Sequence, residues 1–341
     1  MKKSSLITII VLLSLVGLSI YFFKNKNRAS TISKEASDFK FKDTASIDKI
    51  YIADKDGGDI LIERKANGWM MGGGYRVRPD AIELLLETIA NVEVQTPVSK
   101  KNTTGVLKIM AGKSVKIEIY SKGNKVKQYF VGFPTQDHLG TYMILTDLET
   151  GENYPDLFIT HIPGFNGFLS TRYYADKTEW RDRLMCNYTP PQIKQIKLEL
   201  NEAADSSFTI DLYSMQRFGL KIKNDQHIKF DESRLKQYIA YFQNLNCEYY
   251  LDKKDKVVDS LMKSAIPFAK LQILDRNNTT NVIEFYHKKA LSEKNAQYGI
   301  DYKYDPDRMF VKFNNGKDFG VAQFFAFGKI LQTYKYFVRE K

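Results

Sequence analysis

Cysteine is nearly absent: the chain of 341 residues holds two, Cys186 and Cys247. That excludes a disulfide-rich scaffold and a four-cysteine zinc site. Histidine is scarce as well. His138, His161, His227 and His287 are the full set, and no two stand at the i, i+4 spacing of a zinc-binding helix. G-x-S-x-G and C-x-x-C are missing, and S-x-x-K has no supporting context, so no nucleophile motif emerges. No G-K-[ST] follows Gly72-Gly73-Gly74, and that run reads as a loop between hairpin and helix. Acid is lacking at the start. Residues 1–28 carry Lys2, Lys3, Lys24, Lys26 and Arg28 but no Asp or Glu. These five supply a large part of the formal +11, so the remainder is too weakly basic for a nucleic-acid binder. The expectation is therefore no cofactor, no metal and no nucleic acid.

What is present in quantity is apolar and aromatic. Hydrophobic residues make up 43%, with 21 Tyr and 22 Phe, enough for a sizeable core. At roughly 150 residues per domain, the length allows about two domains. Leu6–Phe23 reads LITIIVLLSLVGLSIYFF without a charge. As a helix it would extend about 27 Å, close to the hydrocarbon thickness of a bilayer. Tyr21, Phe22 and Phe23 suit the membrane interface. The bulky exit followed by Lys24-Asn25-Lys26 offers no small-residue cleavage site, which argues against a cleaved signal peptide. A lipoprotein would need a cysteine directly after the run. The run therefore reads as an uncleaved anchor. Flanking charge is nearly balanced, and the large domain is placed outside because long domains translocate largely regardless of it.

Beyond a polar stalk the chain repeats itself. Ile47, Ile50 and Ile52 open a first strand, Asp59–Lys65 reads as a second, and Asn67-Gly68 marks a hairpin into a third at Trp69. Ile82, Leu85, Leu86 and Ile89 then follow the i, i+3, i+4, i+7 rule of an amphipathic helix, behind Pro79. The second unit opens with Ile193, Ile196 and Leu198. Strands follow at Phe208–Leu212 and Phe218–Ile222, then Asp231 as N-cap ahead of Leu235, Tyr238, Ile239 and Phe242. Lys116–Tyr120 (KIEIY) resembles Val282–Tyr286 (VIEFY), and Tyr142–Leu145 resembles Met309–Phe313. Aromatic-rich segments follow, around Phe158–Phe168 and Phe319–Phe327. The expected class is α+β: a transmembrane helix, then two tandem related modules, each a mostly antiparallel sheet with a covering helix. The expected bounds are a cytoplasmic stub at 1–5, the anchor at 6–23, the stalk at 24–43, and modules at 44–185 and 186–341.

Several phrases agree in order with a known family. FKFKDTASIDKIYIAD, the GWM turn, RPDAIELLLETIANVEVQTPV, VGFPTQDHLGTYMIL, HIPGFNGFLS and EWRDRLM resemble the bacterial family named domain of unknown function 4340. The form resembled is that of membrane-anchored proteins of Bacteroidetes, and it covers essentially the whole chain after the anchor. None of the phrases is a catalytic fingerprint. The resemblance implies a partner among transporters of the ATP-binding-cassette type, and it transfers no functional residue.

The most unusual stretch is His161–Ser170, HIPGFNGFLS. Pro163 and Gly164 make a turn, Gly167 allows close backbone approach, and Phe165, Phe168 and Leu169 are large apolar groups in a loop. These residues form the candidate partner-binding loop, with a plug for the inter-module core as the alternative. Trp180, Arg181 and Asp182 in EWRD are assigned to the inter-module junction, with Trp180 burying its ring there. His138 beside Asp137 reads as a solvated loop residue. Cys186 and Cys247 read as unpaired core thiols of different modules, although an oxidising location allows a bond. The aromatic, basic C-terminus reads as a last helix or strand closing the second sheet. The leading function is a non-catalytic binding or scaffold subunit of a cell-envelope complex, associated with a transporter. The groove between modules is its natural binding place. The alternatives are an envelope hydrolase or carbohydrate-active protein, marked by acids of raised pKa in one cleft, and an assembly factor for surface proteins.

Overall fold

Ile50 and Ile52 bury one face of a strand whose other face carries Lys49 and Tyr51. That alternation, repeated along the chain, produces two antiparallel sheets. The structure is a computed structural model and describes residues 14–17, 19, 34–252, 256–290, 299 and 302–338. Most of the expected anchor over 6–23, the start of the stalk and residues 253–255 lie outside the described residues. Among the described residues no helix is long and apolar enough to cross a membrane.

The chain divides into two units, 1–181 and 182–341. In the first, the strands are β1 (Ile47–Ala53), β2 (Asp59–Lys65), β3 (Gly68–Met71), β4 (Tyr75–Arg76) and, after helix α1 (Pro79–Asn91), β5 (Glu93–Pro97). Helix α2 (Lys100–Lys113) leads into β6 (Val115–Ser121), β7 (Asn124–Pro134), β8 (Thr141–Leu145) and β9 (Phe158–His161), and a short turn of helix, α3 (Lys177–Trp180), follows. The sheet order is β4-β3-β2-β1-β6-β7-β8-β9-β5. Pro79 starts α1 and Ala81, Ile82, Leu85 and Ile89 are its buried apolar side chains, in the core that Ile50, Ile62, Ile117 and Tyr129 share. Helix α2 joins a separate cluster, in which Val106 and Met110 lie with Ile144 and Leu157. Gly132 makes this seat possible, since a Cβ there would lie 2.9 Å from Met110 Cγ and 3.0 Å from the Tyr142 carbonyl.

The second unit contains β10 (Leu184–Cys186), β11 (Ile193–Leu200), β12 (Phe208–Leu212), β13 (Phe218–Lys221), α4 (Glu232–Ala240), β14 (Leu245–Asn246), β15 (Tyr249–Tyr250) and α5 (Lys256–Lys263). It ends with β16 (Ala269–Asp275), β17 (Thr280–Lys289), β18 (Tyr304–Phe313), β19 (Asp318–Gln323) and α6 (Phe324–Phe327). Its main sheet runs β13-β12-β11-β16-β17-β18-β19-β15, the order of the first sheet without β4. The duplication extends to register. Ile50 pairs with Ile62 and Ile119, and its counterpart Ile196 pairs with Ile210 and Ile273. Each first strand is irregular at the same place, between Ile47 and Lys49 and between Ile193 and Gln195. Asp231 caps α4 by accepting from the Ser233 and Arg234 amides.

Four expectations need correction. KIEIY lies on β6 and VIEFY on β17, which the sheet order makes non-equivalent; the counterpart of β6 is β16. Short alternating strands look alike, so similarity of five residues does not identify a partner. Residues 34–43, expected as the end of a stalk, belong to the first unit, because Ala36 and Phe39 are buried in its core. The units divide after Arg181 and not after residue 185, since β10 pairs with β14 of the second unit. Cys186 and Cys247 are both buried in the core of the second unit, not in different modules. After β19 the C-terminal segment takes the helical alternative, α6, and adds no strand among the described residues. Phe327, Ile330 and Phe337 fill the core from a helical turn and a loop, and Ile330 accepts a hydrogen bond from the buried Tyr238 hydroxyl at 2.8 Å.

Candidate partner-binding loop and groove

Register places the loop. β1 starts opposite Ser121 and ends opposite Lys116, beside which Val115, Val131, Pro134, Thr141 and Thr160 follow in turn. His161 and the loop after it therefore lie at the end of the sheet where β1 finishes. The chain enters at the other end, about 20 Å away along the strands. Ile162, Pro163, Gly164 and Phe165 form a turn with Gly164 at φ 81° and the Phe165 amide donating to the Ile162 carbonyl at 3.0 Å. Proline followed by a positive-φ glycine is what a type II turn requires. At Gly167, φ is 154°, and a Cβ would come within 2.9 Å of the Phe165 ring.

The aromatic pair divides between surface and interior. Leu169 is fully buried, and its amide donates to the buried Thr141 hydroxyl at 2.7 Å. Phe168 is half-buried against the His138 ring, with centroids 5.6 Å apart. Phe165 is 38% exposed, with the Arg172 guanidinium 4.4 Å above its ring. Leu139, on the neighbouring hairpin turn, is 48% exposed. The loop thus contributes to the core of its own unit through Leu169 and presents Phe165 to solvent. His161 is half-buried opposite Glu93.

The second unit has a protruding aromatic at the matching place. Phe325 follows β19 as Phe165 follows β9, and it is 95% exposed. Ile266, just before β16 at the same end, is 81% exposed. Phe268 and Phe324 stack beneath them with centroids 6.3 Å apart. Sequence reading missed Phe325 because a run of aromatics after a strand shows no period that separates inside from outside.

The chain divides between Arg181 and Asp182, inside the Trp180–Asp182 segment assigned to the junction. Trp180 is fully buried in the core of the first unit, stacked on Tyr174 at 4.6 Å, with its indole N–H donating to the Tyr174 carbonyl at 2.7 Å. Arg181 bridges Val77 and lies 4.0 Å above the Tyr75 ring. Asp182 belongs to the second unit. Its side chain accepts from the Leu184 amide at 3.2 Å, and its carbonyl accepts from the Tyr250 hydroxyl at 2.6 Å.

Seven carboxyl groups are displaced downward in pKa: Asp80, Glu93, Glu118, Asp137, Asp211, Glu248 and Glu284. Burial alone would raise Glu118. Hydrogen bonds from Tyr120 at 2.7 Å and from Lys125 and Lys116, both at 3.1 Å, outweigh it. Glu284 repeats the arrangement with Tyr286 at 2.8 Å and Lys312 at 3.1 Å. Burial, then the neighbouring carboxylate, pushes Tyr120 up to about 12. The buried Cys186 thiol is likewise pushed up to about 12 by desolvation, which leaves it unreactive. Among the described residues, no group of three or more His, Cys, Asp or Glu could hold a metal ion.

These shifts set a pH dependence. A carboxyl whose folded pKa lies below its unfolded value of 4.5 stabilises the fold above that value. The contribution is lost as the pH falls through the folded pKa. The urea midpoint is expected to fall between about pH 5 and about pH 3, with a shallower fall in Glu118→Gln and Glu284→Gln. An unchanged slope in both variants would contradict the assignment.

One groove in the first unit lies between α2 and the outer face of β8, β9 and β5. Its volume is about 970 Å3, and Phe133, Tyr142 and Ile159 line its floor. A Cβ at Gly140 would collide with Ile159, one of the lining residues. No family model matches the chain, and no curated protein or solved structure does.

Proposed function

We propose that the chain is a membrane-anchored, non-catalytic binding or scaffold subunit of a cell-envelope complex. The Leu6–Phe23 run holds it in the inner membrane, and the two α+β units stand outside. One observation carries this reading: both units present a phenylalanine to solvent at the same place, Phe165 after β9 and Phe325 after β19. Large exposed aromatics anchored by buried neighbours are the residue type that dominates binding energy at protein interfaces. In the first unit the tip lies at the sheet end opposite the one where the chain enters. Downward-shifted carboxyls support a binding role over a hydrolytic one. The resemblance to the domain of unknown function 4340 family supports placing the complex at a transporter of the ATP-binding-cassette type.

The test is co-purification of the full-length chain, crosslinked in native membranes. A defined set of membrane proteins is expected with the unaltered chain. Phe165→Ser and Phe325→Ser together are expected to reduce their recovery at least about 10-fold. Recovery of the chain alone, or an undiminished set with the double variant, would overturn the proposal.

A further inference from the structure

We propose that the groove of the first unit is a binding site for a neutral oligosaccharide. Four observations converge on that chemistry. The first is an inventory of unused hydrogen-bonding groups. The side-chain amides of Gln95, Asn102 and Gln136 and the hydroxyl of Tyr142 all line the groove. None of these groups has a hydrogen-bond partner among the described residues, whereas Glu118 on the same face of the sheet is fully engaged by Tyr120, Lys116 and Lys125. An amide offers both donors and an acceptor, which matches the dual character of a sugar hydroxyl or an N-acetyl group.

The second observation is the floor. Phe133 and Tyr142 are half-buried, with centroids 4.9 Å apart and planes at 52°. They present a partly exposed apolar surface on which the C–H face of a sugar ring can rest, beside the amides that read its hydroxyls. The third is charge. The lining carries Lys101 and Asp137, one of each sign, and Asp137 is already held by the Thr135 hydroxyl and the Leu139 amide. A strongly anionic or cationic ligand finds no matching field.

The fourth concerns the backbone beneath the groove. The floor strands β8 and β9 are interior to the sheet: β8 pairs with β7 and β9, and β9 with β8 and β5. Their backbone groups are consumed in the ladder, so recognition on the floor falls to side chains, and strand addition is open only at β5, the edge strand that supplies Gln95 and Thr96. The site does not depend on a protein partner, and its failure would leave the docking reading untouched.

The test is calorimetric titration of the full-length chain in lipid nanodiscs, with the N-acetylglucosamine tetramer and maltotetraose as neutral probes. A tetragalacturonate serves as the anionic one. Saturable binding of a neutral tetramer is expected, at least about 10-fold tighter than the anionic probe. The Gln95→Ala and Asn102→Ala pair is expected to weaken it about 10-fold. Gly105→Phe is a blocking variant that preserves the fold. Gly105 lines the groove, a Cβ there meets nothing within 4 Å, and loss of a helical glycine favours the helix. It should abolish binding with no loss of thermal stability. No saturable binding of either neutral tetramer, binding unaffected by Gly105→Phe, or equal affinity for the anionic probe would each overturn the proposal.

Discussion

Trp180→Ala is expected to destabilise the first unit by about 3–5 kcal/mol. The side chain is fully buried, so truncation opens a cavity in a core built from Ile50, Leu85, Tyr129 and Leu169. Two further losses follow. Tyr174 loses the ring stacked on it at 4.6 Å, and its carbonyl loses the indole donor at 2.7 Å. The Arg78 amide, which donates to the Trp180 carbonyl at 2.8 Å, ties this segment to the start of α1. Hydrogen exchange is expected to rise throughout the 47–145 region while 193–323 keeps its protection, since the core cluster holding Trp180 contains no residue of the second unit. Trp180→Phe keeps a ring and should cost less. Loss of protection confined to the second unit would show that Trp180 serves that unit and not the first.

Phe39→Ala is expected to cost about 3–4 kcal/mol and to free the segment 34–43 that leads into the first unit. The ring is 1% exposed and meets Tyr129 and Phe158 edge-on, each with centroids 6.0 Å apart. The remaining attachments are weaker. The Phe41 amide donates to the Ile89 carbonyl at 2.9 Å, and Lys40 pairs with Glu93 at 2.6 Å near the surface. Partly exposed ion pairs contribute little. Trypsin cleavage after Lys40 and Lys42 under native conditions is therefore expected to accelerate on the order of 100-fold. Cleavage at the unaltered rate would mean that the segment is held by contacts other than Phe39.

The elements built on regular spacing were legible in the residues. Ile50, Ile52, Ile196 and Leu198 alternate, Pro79 and Asp231 open their helices, and each unit is α+β with one antiparallel sheet. What escaped lacks a strong period. Helix α2 contains Gly105, Gly112 and adjoining Thr103-Thr104, and its buried apolar side chains are only Val106 and Met110, too thin a stripe to read. The groove beside it escaped for the same reason. Phe39 and Phe41 alternate with Lys40 and Lys42 over too short a stretch to reveal that a sheet waits to receive them. The His161–Ser170 turn was readable from Pro163-Gly164. The division of labour between exposed Phe165 and buried Leu169 was not, because loop side chains follow tertiary contacts and not spacing.

The central claim is that the protruding phenylalanines dock a protein of the envelope. A photocrosslinking amino acid placed at position 165 or 325 of the full-length chain, in native membranes, tests it most directly. Leu61, 42% exposed on β2, is the control position. The account predicts crosslinks to a defined membrane protein from 165 and 325 and none from 61. Crosslinks to lipid alone, or the same products from all three positions, would contradict it.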